Sequence, residues 1–465
     1  MQRIAGVIVA AVMLTTNPGR DVAMRAAEIL RSSSGGAESL QDDRAPLDVA
    51  ALISQARGTA PLMCSLAAQA VRNFGWNEWS DAPSTPLGPA LSQRYDLQQQ
   101  QLTDAQVNQL LDALATNDGC VREISVRLLG RNRGDLVVNG LVTRLASSDA
   151  AIREVASLGL GLVHSQKAVD ALIRALRDQT PGVRANSAWA LGRLEAGKAL
   201  SPIKDLFSDD NETVREASVI AAGRMDDSTS SVPALIRMVR QDPAPSVRRA
   251  AAWALAQLES RQAVDALTGA LTQDNDARVR EMAAWALGDL EARSAVSALG
   301  SVARRDADDR VRETATWALG QIEDRTQIDV LGSIASSDRS SRVRGTAAWA
   351  IGQMRNGGRA PAGLLQVLRD ESDDARLKAA WALGQISDST ALNAIQDALG
   401  REQSSEVRRA LIRALIRSGG RSEKTLTSLL DSKDPTVREA AVRGLAGNNS
   451  FNPWPWPWPR PRPNP

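Results

Sequence analysis

Histidine is almost missing: His164 is the only one among 465 residues, and Cys64 and Cys120 are the only thiols. That excludes multi-histidine metal centres and leaves few of the Cys/His or Ser/His pairings that activate a nucleophile. Neither sign of charge prevails. With 56 Lys and Arg against 54 Asp and Glu, the net charge is +2, which argues against a chain whose main task is gripping a phosphate backbone. No apolar run reaches the ~20 residues a membrane-spanning helix needs. There is no convincing strand, and so no Gly-rich phosphate loop following one. Phe and Tyr are scarce at three and one, yet there are 11 Trp. Where those Trp fall organises the rest of the reading.

The ends differ from the middle. Ile4–Leu14 is an uninterrupted small-apolar run behind Arg3, the length of an export-signal core. Residues 1–17 are therefore expected to be a signal peptide and 18–45 a linker rich in Ser, Gly and Asp. Residues 46–101 read as a degenerate capping repeat with an irregular insertion that holds Trp76, Trp79, Pro83, Pro86 and Pro89. Residues 448–465 form a tail ending in PWPWPWPRPRPNP. Alternating proline removes amide donors and fixes φ, so the tail should be an extended polyproline rod.

Residues 102–447 are repetitive. A loose VRxxAxxALG motif begins at Val121, Ile152, Val183, Val214, Val247, Val279, Val311, Val343, Ala375, Val407 and Val437, at spacings of 30 to 33 residues. Between motifs lies a second apolar-periodic segment, such as AVDALIRAL from Ala168 and AVDALTGAL from Ala263. Each unit is thus a helix A, a turn and a helix B, and its apolar face is covered only when units stack. The motif copies VREMAAWALGDLEARSAVSALGSVARRD from Val279 and VRETATWALGQIEDRTQIDVLGSIASSD from Val311 resemble HEAT-type repeats of the short kind found in phycobilisome lyases. The resemblance implies an all-α, right-handed solenoid of about eleven to twelve two-helix repeats, with the B helices lining its concave side.

Counting the first motif residue as position 0, a wheel of about 100° per residue gathers positions 0, 4, 7, 8 and 11 into one buried stripe. Position 6 falls on the outward side. It is Trp in six repeats: Trp189, Trp253, Trp285, Trp317, Trp349 and Trp381. Position 10, one turn on, holds Arg193, Gln257, Asp289, Gln321, Gln353 and Gln385. Either this is an aromatic ridge for binding a partner, or each indole packs sideways and seals the stack. Position 1 is Arg in eleven copies, from Arg122 to Arg438, and the turn before it usually carries Asp: Asp178, Asp242, Asp274, Asp306, Asp338 and Asp370. An Asp–Arg ladder tying the turns together is expected in preference to a phosphate track. Cys64 and Cys120 precede the B helices of adjacent repeats and are expected to form a disulfide, in keeping with export. His164 is expected on the surface, in an inter-helix turn. In the tail, Trp454, Trp456, Trp458, Arg460 and Arg462 offer contacts to a groove or a membrane surface, or are simply solvated.

The functional expectation is a non-enzymatic scaffold, without cofactor or metal, that binds a protein or extended peptide on its B-helix side in the periplasm or outside the cell, with the cytoplasm as the alternative compartment. The resemblance also offers a bilin lyase or isomerase and a HEAT-like nucleic-acid binder. Iron-holding HEAT-type deoxyhypusine hydroxylases are excluded because one histidine cannot supply their ligands.

Overall fold

The computed structural model describes residues 48–59, 102–225, 230–354, 358–419, 429–432, 435, 437–439 and 442. The proposed signal peptide and linker, Cys64, the insertion with Trp76 and Trp79, and the tail with its three Trp and two Arg lie outside the described residues. Inside them the chain is an α-solenoid. Helix α1 (Val49–Ala56) precedes ten helical hairpins. The A helices are α2 (Asp104–Ala113), α4 (Asp135–Arg144), α6 (Val169–Ala175), α8 (Leu200–Asp205), α10 (Val232–Gln241), α12 (Val264–Gln273), α14 (Val296–Arg305), α16 (Ile328–Ser337), α18 (Ala362–Val367) and α20 (Leu392–Arg401). The B helices are α3 (Gly119–Leu129), α5 (Ala150–Val163), α7 (Pro181–Arg193), α9 (Glu212–Arg224), α11 (Pro245–Gln257), α13 (Ala277–Asp289), α15 (Asp309–Ile322), α17 (Ser341–Gln353), α19 (Asp373–Ile386) and α21 (Ser405–Arg417).

Local signals set the boundaries. Asp149, Asn211, Asp276 and Asp308 cap their B helices through side-chain oxygens that accept backbone amides. Pro181 and Pro245 open α7 and α11, where a missing amide costs nothing. At position 12 the chain leaves six of the B helices in the left-handed region, at His164, Glu195, Glu259, Glu291, Glu323 and Ser387, with φ between 48° and 58°. Glycine is the usual residue at such a site because it has no Cβ to clash. These six manage without it.

The expected stripe is buried: in α13, Val279, Ala283, Ala286, Leu287 and Leu290 are all in the core. So are Met282, Ala284 and Gly288. A B helix faces its own A helix on one side and a B helix of the next repeat on each flank, so burial runs nearly round it. Neighbouring B helices pack far more extensively than neighbouring A helices. Small residues at positions 4, 7 and 9 make that closeness feasible.

The A–B turns are joined by a ladder of ion pairs. Arg153, Arg184, Arg215, Arg248, Arg280, Arg312, Arg344 and Arg376 reach forward to Asp178, Asp209, Asp242, Asp274, Asp306, Asp338, Asp370 and Glu402 of the following repeat, with the closest contacts at 2.5–2.9 Å. Each guanidinium engages both carboxylate oxygens, as the pairs at Arg248 and Arg280 show. Its remaining nitrogen donates to the carbonyl six residues earlier, in its own turn; Arg248 to Asp242 and Arg280 to Asp274 are typical. The carboxylate also accepts the amide two residues on. Bidentate geometry with all partners satisfied is the arrangement in which a shielded ion pair stabilises rather than merely breaks even. The Arg at position 1 therefore ties two turns, its own and the next.

Candidate functional site: the B-helix face

The aromatic row is not an exposed ridge. Trp189, Trp253, Trp285, Trp317 and Trp349 are only 3–7% exposed, and Trp381 is half-buried. The wheel of a lone helix misplaces them because it omits the neighbouring B helix. Trp189, Trp253, Trp317, Trp349 and Trp381 each lie in the joint between repeats, over the glycine at position 9 of the repeat before. A methyl group on Gly223 would sit 3.1 Å from Cζ3 of Trp253, one on Gly288 2.9 Å from Trp317, one on Gly320 2.7 Å from Trp349 and one on Gly352 2.5 Å from Trp381. Gly161 and Trp189 meet in the same way. The signal was in the sequence: glycine at position 9 accompanies tryptophan at position 6 one repeat later. Ala256 stands before Trp285 instead, and Gly130, Gly192 and Gly384 are followed by Leu158, Ile220 and Arg413.

The residues at position 10 do reach the surface. Gln257 and Asp289 are exposed, while Arg193, Gln321, Gln353 and Gln385 are half-buried. Arg193 lies 5.2 Å from the Trp189 ring centroid, a cation–π stack. His164 donates from Nε2 to the Arg193 carbonyl at 2.8 Å. Cys120 begins α3, is buried and is disulfide-bonded.

Position 2 went unnoticed in the sequence. In α5, α9, α13 and α15 it holds Glu154, Glu216, Glu281 and Glu313 on the B face, none of them freely exposed, while α3 has Glu123, buried and paired with Arg127 at 2.7 Å, and α11 has Arg249. Burial raises the affinity of all four carboxyls for a proton, against the opposing pull of nearby cations: Arg122 at Glu154, Arg249 at Glu216, Arg310 and Arg249 at Glu281, and Arg342 and Lys378 at Glu313. Arg249 approaches Glu216 to 3.5 Å, and Arg342 approaches Glu313 to 3.7 Å. The carboxylates of Glu154 and Glu281 make no hydrogen bond or ion pair among the described residues. Gly182 leaves the space above Glu154: a methyl group there would come within 2.5–2.7 Å of the carboxylate. The stack does not require a carboxylate here, since Ala185, Gly345 and Leu377 occupy position 2 elsewhere. Large exposed hydrophobics among the described residues are confined to Leu136, Leu430 and Val442.

A family model described as HEAT repeats matches residues 138–223, 203–288, 296–362 and 360–446, and one described as PBS lyase HEAT-like repeat matches 279–304. The chain belongs to the HEAT-repeat family. Similar solved structures include an engineered protein at 22% identity, covering 66% of this chain and 98% of that one with a TM-score of 0.43. The Kap95:Nup1 complex matches at 14% identity, over 73% of this chain and 57% of that one, with a TM-score of 0.49. Human deoxyhypusine hydroxylase in complex with glycerol matches at 21% identity, over 54% and 96% of the two chains, with a TM-score of 0.26. A search of curated proteins finds no match.

Proposed function

We propose that the chain is a non-enzymatic scaffold that binds an extended segment of a partner protein across its B-helix face. The observation that supports this is the row of half-buried carboxylates at position 2. Each one is held where its charge is poorly solvated, so each lowers the stability of the folded chain at neutral pH. Groups that cost stability without a packing role are the ones expected to serve a site. The half-buried glutamines at position 10 line the same face and supply both donors and acceptors for a passing backbone. The disulfide at Cys120 supports a working place in an oxidising compartment outside the cytoplasm.

Photo-crosslinking tests the reading. A crosslinking residue at Gln321 or Gln353 should capture a partner from an extract of the source cells, and one at Ser336 or Arg304 on the A side should not. The double change Glu281→Gln and Glu313→Gln should weaken capture while raising the melting temperature. Capture from the A side, or capture indifferent to the double change, defeats the proposal.

A further inference from the structure

The edge where each B helix hands over to the next A helix carries two rows of charge. At position 12 the exits of α11, α13 and α15 are Glu259, Glu291 and Glu323, and at position 14 they are Arg261, Arg293 and Arg325. Position 13 between them points inward: Ser260 and Ala292 are buried and Asp324 is half-buried. Because it turns in, its neighbours on either side turn out, and all six charged side chains are exposed. None of the six makes a side-chain hydrogen bond or ion pair among the described residues. Asp324 is held below the usual carboxylate range by the Thr326 hydroxyl and amide, and Arg293 adds only a weaker pull. The acidic row is not a demand of the turn, because His164 and Ser387 fill position 12 elsewhere in the same left-handed conformation. Each glutamate there sits beside the negative end of a helix dipole and so costs stability.

We propose that this edge is where two copies of the chain meet, as a loose two-fold dimer held by charge. Stacked helices lie about 8–10 Å apart, so each row of three spans about 16–20 Å. Two residues of extended chain set the rows at most about 7 Å apart. A half-turn about a line running between the rows lays the arginines of one copy over the glutamates of the other, and the reverse, which makes six Arg–Glu pairs with like charges nowhere opposed. A half-turn about a line across the rows sets Arg over Arg instead, so the pattern selects copies that run in the same direction. The net charge of +2 adds almost no general repulsion. A strip of this size falls well short of the ~800 Å² per partner of a standard interface, so the dimer is weak. Its pairs lie near solvent, so salt dissolves it. It occupies the exits and leaves the B face free for an extended partner.

The test is sedimentation of the full chain at about 0.01 M ionic strength, where charges act over about 30 Å, and at about 0.15 M, where they act over about 8 Å. The parent should associate in the first and be monomeric in the second. Arg261→Glu, Arg293→Glu and Arg325→Glu together should weaken association about tenfold or more, with an unaltered circular dichroism spectrum. Adding Glu259→Arg, Glu291→Arg and Glu323→Arg exchanges the two rows and leaves the net charge as it was. The exchanged chain should associate with itself and, when fluorescently labelled, not with the parent, since Arg then meets Arg. A parent that stays monomeric at low salt overturns the inference. So does a triple variant that associates like the parent, or an exchanged chain that fails to pair with itself.

Discussion

A tryptophan and a glycine one repeat apart form the unit that closes five of the joints between B helices. Trp349 over Gly320 is representative: the ring is 3% exposed, and a methyl group on Gly320 would lie 2.7 Å from Cζ3. Trp349→Ala should cost about 3–5 kcal/mol, as emptying a core site of an aromatic does. Gly320→Ala should cost about 1–3 kcal/mol through overpacking. Combined, the two should be less than additive, because the smaller side chain at 349 removes one of the clashes. Urea titration of the single and double variants measures the coupling, and strict additivity would mean that the ring and the glycine do not share the joint. At this scale the sequence was half legible. The period placed the six Trp in register and named Val279, Ala283 and Leu287 as core. It left an outward ridge and a sideways seal both open because a wheel knows one helix, and the side that looks outward on a single helix faces the next one in a stack, where the rings form the seal. The carboxylates of position 2 were missed for the opposite reason: Glu at helical surface spacing reads as solvated, and only the neighbouring helix shows that it is not.

The helices themselves were legible from period and punctuation. Paired helices, turns and register follow from the repeated motif, and an Asp or Asn cap or a proline start marks the entry to seven of the ten B helices, with Ser at α17, α19 and α21. The exits were not legible, since nothing in Glu195, Glu259 or Glu291 announces a left-handed residue. These exits carry a prediction. At Glu291, φ is 48°, the cap is exposed, and an acidic side chain sits beside the negative end of the helix dipole. Glu291→Gly should stabilise the chain by about 1 kcal/mol, since glycine enters this region without strain. A thermal melt checks it, and a lower melting temperature would show that the glutamate makes a compensating contact. The ladder behaves in the opposite sense. Arg280→Ala leaves the shielded Asp306 carboxylate without its bidentate partner and should cost about 2–3 kcal/mol.

For the whole molecule, two sets of acids respond to pH in opposite directions. The Arg153 guanidinium, assisted by the Thr180 amide, holds Asp178 below the usual carboxylate range. Burial would raise Asp209, Asp274, Asp306 and Glu402, and the ladder Arg together with backbone amides outweigh it, so these too titrate low. A carboxyl lowered in the folded state contributes stability that is present above its unfolded value, about 3.9 for Asp and 4.3 for Glu, and is lost as pH falls through the folded value. The carboxyls of Glu154, Glu216, Glu281 and Glu313 are raised, so their penalty at neutral pH is relieved as they take up protons. The melting temperature should therefore rise as pH drops from 7 towards 5 and fall steeply below about 4. In the variant with Glu281→Gln and Glu313→Gln the first limb should flatten and the second remain. A curve that falls monotonically from pH 7 contradicts the assignment.

The forward-reaching arginine ladder also gives the stack a spine. Along the A–B turns every step from α5 to α21 is fastened by a guanidinium that grips two turns at once. At the opposite edge the inter-repeat ion pairs Lys167–Asp135 and Lys198–Asp170 are well exposed to solvent and contribute little, and the hydrogen bonds of His164 and Gln166 to the Arg193 and Leu194 carbonyls and of the Ala360 amide to Asp388 tie single joints rather than forming a continuous ladder. A rod fastened along one edge and loose along the other bends like a book: the pages fan at the open edge while the binding keeps its length. Thermal flexing should therefore spread the left-handed exits apart and leave the turn-to-turn distance fixed, and a partner that grips the open edge would stiffen the coil more than one that grips the spine.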